Sequence, residues 1–290
     1  MYPSFDYIDS YPISSSLNLI GYSIASHETG FYIPELKIFL DCGVVTKYCP
    51  NFIFITHGHF DHCGQLYKTL LEESCNPLVI VPEGSRNDII NSMSVMNDLS
   101  TGNTKQRIHS KYEIVGVRYN TELILNIKNH DWKIDIIKCF HSHPKGTCGY
   151  GFTELRNKLK SEFVGLEGRE IAKLKHEGIE ITEIIEYPQF CYLCDTTHKI
   201  FENEILLKFP VIMIECTFLK PEDKKKAKTN KHMHWDNLEP YIREHPEIRF
   251  ILFHFSSKYH PYITNEVREF FEEYNDISST TYLPNIFLWV

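Results

Sequence analysis

The chain has 290 residues, 42% of them hydrophobic and 13% aromatic, and a formal net charge of −8 at pH 7. That is ample apolar material for one sizeable core. The acidic balance excludes a whole-molecule positive field, so an RNA ligand would have to be held by a local basic patch.

The N-terminal run MYPSFDYIDSYP has no basic region followed by an apolar segment, so no secretory leader is expected. No stretch approaches the roughly 18 apolar residues of a membrane span. A soluble, cytoplasmic protein is the expectation. Apolar periodicity predicts strands over 31–40, 52–56, 78–82, 132–140, 190–194, 210–214 and 249–254. Helical spacing predicts helices over 62–73, 84–98, 168–176, 235–244 and 263–274. No linker, repeat or low-complexity tract interrupts this alternation, which points to one α/β layered domain spanning 1–290.

Nine scattered cysteines do not suggest a disulfide scaffold in a chain this long. Cys191 and Cys194 form a C-x-x-C pair inside the strand-like run FCYLCD, where side chains three apart point to opposite faces. With no second such pair to complete a four-thiolate site, they read as core cysteines.

Five predicted strands run directly into a residue with ligand or acid–base chemistry: NFIFIT into His57, IDIIKCF into His141, FCYLC into Asp195, VIMI into Glu215 and RFILF into His254. Buried strands that end in such residues place a site on rigidly held loops. His57, His59, Asp61 and His62 pack three imidazoles and a carboxylate into one short segment after a strand. That mixture suits zinc, manganese or iron better than calcium. Alternate residues His57 and His59 can point the same way in an extended turn, while Asp61 and His62 would begin the next helix. Two pairs for two metals result. Taken singly, Asp195 would read as a turn or helix cap and His254 as a buried structural histidine.

The H-x-H-x-D-H segment resembles the signature of the metallo-β-lactamase superfamily, which implies a four-layer αββα sandwich. Phe140-His141-Ser142-His143-Pro144 followed by Thr147-Cys148-Gly149-Tyr150-Gly151 is similar to the H-S-x-P-x-x-G-Y-G segment of its ribonuclease Z-like members, with two extra residues near Lys145 and Gly146. His143 therefore competes with His141, and His141 is favoured because it directly follows the strand. Cys194-Asp195-Thr196 resembles G-D-T, with Cys in place of Gly. Phe253 to Tyr259 resembles the terminal T-H-I-S-A-R-Y. The resemblance implies His57, His59, Asp61, His62, His141, Asp195 and His254 as ligands of two Zn2+ ions, with Mn2+ as the alternative metal.

Ile214-Glu215-Cys216-Thr217-Phe218 looks like the family's H-E-A-T segment, and Lys231-His232-Met233-His234-Trp235 stands in the place of its H-S-T segment. By resemblance Asp61, Glu215 and His232 are the catalytic residues. His232 is the general acid for a leaving ribose oxygen and Glu215 its orienting partner, with His234 as the competing acid. Gly165 to Ile179 is similar to the G-x-x-G…L-K-x-G segment.

There are departures. Asp41-Cys42-Gly43-Val44-Val45-Thr46 matches D-C-G-E-G-T only in part, the basic N-terminal segment has no counterpart, and the Gly/Pro-rich arm that clamps tRNA is absent after His141. A lysine run (Lys220, Lys224, Lys225, Lys226, Lys228, Lys231) precedes His232 and suits phosphate contact at the rim of a site. The resemblance thus implies a phosphodiesterase that cleaves RNA, with precursor tRNA cut at its 3′ end as the expected substrate and a homodimer as a candidate assembly. A hydrolase of a small ester or cyclic nucleotide is the alternative, and a catalytically silent RNA-binding member the third reading.

Overall fold

Short β-branched and aromatic runs build two seven-stranded sheets, seen in a computed structural model that describes residues 10–71, 75–102, 112–259 and 263–290. Residues 1–9, which carry most of the segment judged for a leader, lie outside it. In the first sheet the strands neighbour one another in chain order: β1 (Tyr11–Pro12), β2 (Asn18–Ile24), β3 (Glu28–Ile33), β4 (Ile38–Leu40), β5 (Phe52–Phe54), β6 (Leu78–Pro82) and β7 (Glu113–Val117). The second runs likewise through β8 (Thr121–Ile127), β9 (His130–Cys139), β10 (Thr147–Leu159), β11 (Thr182–Leu193), β12 (Val211–Glu215), β13 (Arg249–Phe253) and β14 (Ile286–Leu288). Each sheet begins antiparallel and turns parallel, from β4 in the first and β11 in the second. Parallel strands need crossovers, and these bring in the helices.

The helices are α1 (Phe60–Cys63), α2 (Leu66–Leu70), α3 (Glu83–Thr101), α4 (Gly168–His176), α5 (Lys224–Asn230), α6 (Trp235–Glu244), α7 (Ile263–Phe270) and α8 (Glu272–Asn275). Three apolar layers result. Phe31, Phe54, Ile134, Tyr150, Tyr192 and Phe253 meet between the sheets. Residues of α2 and α3, including Leu66, Leu70 and Ile89, cover the outer face of the first sheet. Trp235, Leu238 and Ile242 of α6, with Val267 of α7, cover that of the second. This is the αββα sandwich expected of the sequence.

The spacing argument for the C-x-x-C pair holds in detail. Cys191 packs on the helix side of the second sheet and Cys194 between the sheets, both buried and free. The scattered cysteines do include one bridge, Cys49–Cys75, with Cα atoms 5.3 Å apart. After His141, where the Gly/Pro-rich arm is missing, β10 and β11 stay paired from Tyr150↔Tyr192 out to Leu159↔Thr182, and α4 lies between their far ends. Among the described residues no helix is long and apolar enough to cross a membrane.

Phe31 is the hub of the inter-sheet layer. Its ring lies edge-on to Tyr192, Phe253 and Trp289 at 5.1–6.1 Å, and the missing Cβ of Gly21 gives it room. Phe31→Ala should lower the unfolding free energy by about 3–5 kcal/mol, the usual range for a buried aromatic, read as a fall in denaturant midpoint with an unchanged slope.

Candidate metal centre

The strand ends converge as their sequence suggested. His57 follows β5, His141 follows β9, Asp195 follows β11, Glu215 closes β12 and His254 follows β13. His59 and the α1 residues Asp61 and His62 complete the group. Gly43 lets the loop after β4 lie against this helix, because a Cβ there would sit 1.7 Å from the Asp61 carbonyl oxygen.

Two groups of donor atoms form. In one, His57 Nε2 lies 3.0 Å from His59 Nδ1, which is 3.3 Å from His141 Nε2. Two nitrogens on one tetrahedral zinc stand about 3.3–3.4 Å apart, so this spacing suits a shared ion. In the other, Asp61 Oδ2 lies 3.4 Å from His62 Nε2 and 3.6 Å from His254 Nε2. Asp195 Oδ2 stands between the groups, 3.6 Å from His57 Nε2, 3.5 Å from His141 Nε2 and 3.6 Å from His62 Nε2. All seven sequence candidates for ligation are thereby brought together. His143 lies behind them, its ring 5.0 Å from that of His59, and shares no donor group with them.

Hydrogen bonds on the far sides of the rings set their tautomers. Thr56 Oγ1 gives its one proton to Asp41 and so accepts from His57 Nδ1 at 3.0 Å. His62 Nδ1 donates to Asp41 Oδ2 at 3.0 Å, and His141 Nδ1 to the Lys231 carbonyl at 3.1 Å. Thr217 Oγ1 donates to Glu215 and accepts from His254 Nδ1 at 3.1 Å. Each of these four rings is left with its Nε2 facing the centre. Two of those atoms, His62 Nε2 and His254 Nε2, are buried with no hydrogen-bond partner among the described residues. Leaving such atoms unpaired costs about 1–3 kcal/mol each, so the donor set fits cations rather than a closed hydrogen-bond network.

Burial holds His57, His59 and His141 below the ordinary imidazole range. Burial acts the same way on His62, but Cys194, Asp195, Asp41 and Asp61 overcome it and push that ring well above the range, so a cation there would displace its proton. Burial works the other way on Asp61, but His62 and His254 overcome it and keep the carboxyl well below its usual range. Neutral imidazole and ionised carboxylate are the forms that ligate metal. His254 holds a left-handed backbone, φ +62°, sparsely populated by non-glycine residues.

The acid–base candidates separate cleanly. His232 Nδ1 lies 3.1 Å from both oxygens of Glu215, whose Oε1 also accepts from the Thr196 amide at 2.6 Å. Burial opposes the charge on His232, yet Glu215 and Asp195 push its pKa up to about 9. His234 is instead committed to structure: it caps α6, accepting from the Asp236 amide at 3.1 Å, and its Nε2 donates to the Lys220 carbonyl at 2.9 Å.

Sequence reasoning missed Asp41. It is fully buried, has φ +57°, and accepts from Thr56, His62 and, at 2.8 Å, the Tyr192 hydroxyl. Its place at the head of Asp41-Cys42-Gly43 was the available signal. Tyr192, which holds it, carries none, while Thr217, which holds His254, stood within the Ile214–Phe218 segment without a role of its own.

A cleft of about 260 Å3 opens over both donor groups, lined by His59, Asp61, His141, Asp195, His232 and His254 among others. Beside it lies a larger cavity of about 790 Å3, which shares His141 and His232 and carries Lys138, Lys199, Lys224, Lys228 and Lys231 against one acidic residue, Asp236. The lysine run thus divides. Lys224, Lys228 and Lys231 face this cavity, Lys226 lies over the Phe218 ring, and Lys220 pairs with Glu266.

No family model matches the chain. It is 30% identical over 266 residues to tRNase Z TRZ1 of Arabidopsis thaliana, covering 87% of this chain and 88% of that one. It is 27% identical to the chloroplastic tRNase Z TRZ2 of the same plant, covering 86% and 69%. Among solved structures it resembles a diphosphatase of the PhnP family with a TM-score of 0.50 at 12% identity, covering 91% and 81%, a likeness of fold.

Asp41→Asn keeps the shape but removes the charge that fixes the His62 tautomer. Metal affinity should fall about 10–100-fold, measured by competition with a chromophoric chelator. In the same assay His141→Ala should lose metal and His143→Ala should keep it; the reverse would move the ligand role to His143.

Proposed function

The chain belongs to the tRNase Z family, and on that premise we propose that it is an endoribonuclease that cuts precursor tRNA at its 3′ end. It is a metal-dependent hydrolase with the metallo-β-lactamase fold. The observation that most favours chemistry over silent binding is the His232–Glu215 pair on the wall of a cleft whose donor atoms are all in place.

In this reading His57, His59, His141 and Asp195 would hold one ion, and Asp61, His62 and His254 a second beside Asp195. Nitrogen-rich donors with carboxylates make zinc the natural ion and manganese its substitute. Such ions would neutralise charge on the phosphate and make water a competent nucleophile near neutral pH. The protein's own residues do the rest. Asp61, held by the Ser26 amide at 2.8 Å, faces the cleft where an attacking water can donate to it. The bond that breaks joins phosphorus to the 3′-oxygen of the last retained nucleotide, and the new bond is from the water oxygen to phosphorus. His232, with Nδ1 turned to Glu215, offers the proton on Nε2 to the departing oxygen. The phosphate then leaves on the trailer and the tRNA keeps a free 3′-hydroxyl.

His232 also lines the lysine-bearing cavity, so the tRNA side of the cut lies there. Five lysines in one cavity, of which Lys224 is paired with Asp236, supply locally the positive field that a chain of net charge −8 lacks overall. A small phosphodiester would engage the cleft alone.

His232→Ala and Glu215→Gln should retain metal yet lower turnover by roughly 10²–10⁴, measured on a defined precursor tRNA. Normal rates in both would remove them from the chemistry. Replacing Lys199, Lys224 and Lys228 with Gln should flatten the dependence of log K for RNA on log salt by up to about 2, at about 0.7 per lost phosphate contact. The loss should be much larger for RNA than for bis(p-nitrophenyl) phosphate. If the zinc-loaded parent cleaves bis(p-nitrophenyl) phosphate but no precursor tRNA, the small-ester reading takes over.

A further inference from the structure

Cys194 stands where the G-D-T pattern has glycine, so it brings to the centre a side chain that the pattern lacks. It directly follows β11, immediately before Asp195, and packs fully buried between the sheets. Its sulfur lies 3.4 Å from Asp195 Oδ1 and 3.4 Å from His62 Nδ1. One short side chain thus touches the carboxylate that stands between the two donor groups and a ring of the second group. Cys191, three residues earlier on the same strand, is equally buried but packs on the helix side of the sheet.

The direction of each contact follows from what the groups can do. A thiol is a weak donor and a weak acceptor, whereas a carboxylate only accepts. The thiol proton therefore goes to Asp195 Oδ1. The sulfur is left to accept from His62 Nδ1, which shares its proton between Cys194 and Asp41 Oδ2. The other neighbour of Asp195 Oδ1, His254 Nδ1 at 3.4 Å, is committed to Thr217.

Both contacts fall on atoms other than those aimed at the shared site. Asp195 uses Oδ2 toward His57, His62 and His141, and His62 turns Nε2 toward Asp61. Holding the outer atom of a carboxylate or an imidazole fixes the direction of the inner one. With glycine at position 194, Asp195 Oδ1 would have no donor from its own strand end, and His62 Nδ1 would rely on Asp41 alone.

We infer that Cys194 is a positioning residue of the metal centre: its thiol holds Asp195 and His62 in mutual register, so that both donor groups keep their shape. The inference rests on the two-ion reading above and not on the choice of RNA as substrate.

The test compares the parent with Cys194→Ala, Cys194→Ser and Cys191→Ala, each first shown to unfold cooperatively. Zn2+ affinity is measured by competition with a chromophoric chelator, and ligand geometry by the visible bands of the Co2+-loaded protein. Cys194→Ala should bind both ions about tenfold more weakly, the low end for an outer partner of a ligand because a thiol donates weakly. Both ions should respond, since Asp195 stands between both groups. The Co2+ bands should shift in the same variant. Cys194→Ser has nearly the volume of the alanine variant but keeps a donor, so it should recover most of the affinity. Cys191→Ala removes an equally buried thiol and should leave affinity and bands unchanged. Parent-like affinity and bands in Cys194→Ala would reduce the thiol to core filling. Equal losses in the serine and alanine variants, or the same loss in Cys191→Ala, would overturn the assignment in favour of packing alone. A parent that takes up fewer than two ions would discard the two-ion reading, and the role of Cys194 with it.

Discussion

One oxygen organises the centre. Asp195 Oδ2 lies within 3.6 Å of ring nitrogens from His57 and His62 of one segment and His141 of another. A carboxylate buried to 2% exposure among imidazoles costs several kcal/mol unless positive charge meets it. A proton on His62, which its anionic neighbours favour, meets part of that charge, but burial holds His57, His59 and His141 neutral and their ring nitrogens converge on one another. Cations between the two donor groups resolve both conflicts at once. The tautomer-setting bonds from Thr56, Asp41, Lys231 and Thr217 have meaning only if the inner nitrogens are to be left bare.

That constraint explains the architecture around it. Converging donors must be held to within a fraction of an ångström, and side chains on mobile loops cannot do so. Here each is placed within a few residues of a strand whose own side chains are locked between layers: Phe54 before His57, Tyr192 and Leu193 before Asp195, Phe253 before His254. Parallel strands put all these ends at one edge of the sandwich. The left-handed backbone at Asp41 and at His254 is a local cost, offset by the packing on either side of it.

Legibility of the sequence followed the range of each constraint. The His57–His62 segment is contiguous, so its chemistry is readable without a fold. His141, Asp195 and His254 are readable because an apolar strand announces each one. Tyr192 is not, since its role comes from register and packing across the sheets. Among the elements, α4 and α6 appear where periodicity put them, while the single strand expected over 31–40 is broken by a turn at 34–37, where Pro34 cannot donate and Lys37 has φ +52°. The strand β8 alternates but is half exposed, and β14 is only three residues long, so neither rises above its surroundings. In β11 the outer half is exposed and carries Pro188 at the register shift opposite Phe152 and Thr153, which hid everything before Phe190.

The two cavities that flank the centre differ in kind, and the difference bears on how an acidic protein could handle a polyanion. On the His232 side the wall is basic, with five lysines to one aspartate; on the His143 side it is mostly apolar, with no lysine or arginine among its described residues. Uniform positive charge would bind RNA in many registers, because phosphates are all alike. Charge confined to one flank gives affinity there and no preference for where the chain enters. Set against a net charge of −8, positive charge gathered in one cavity marks a single place on the molecule where a polyanion would be drawn in.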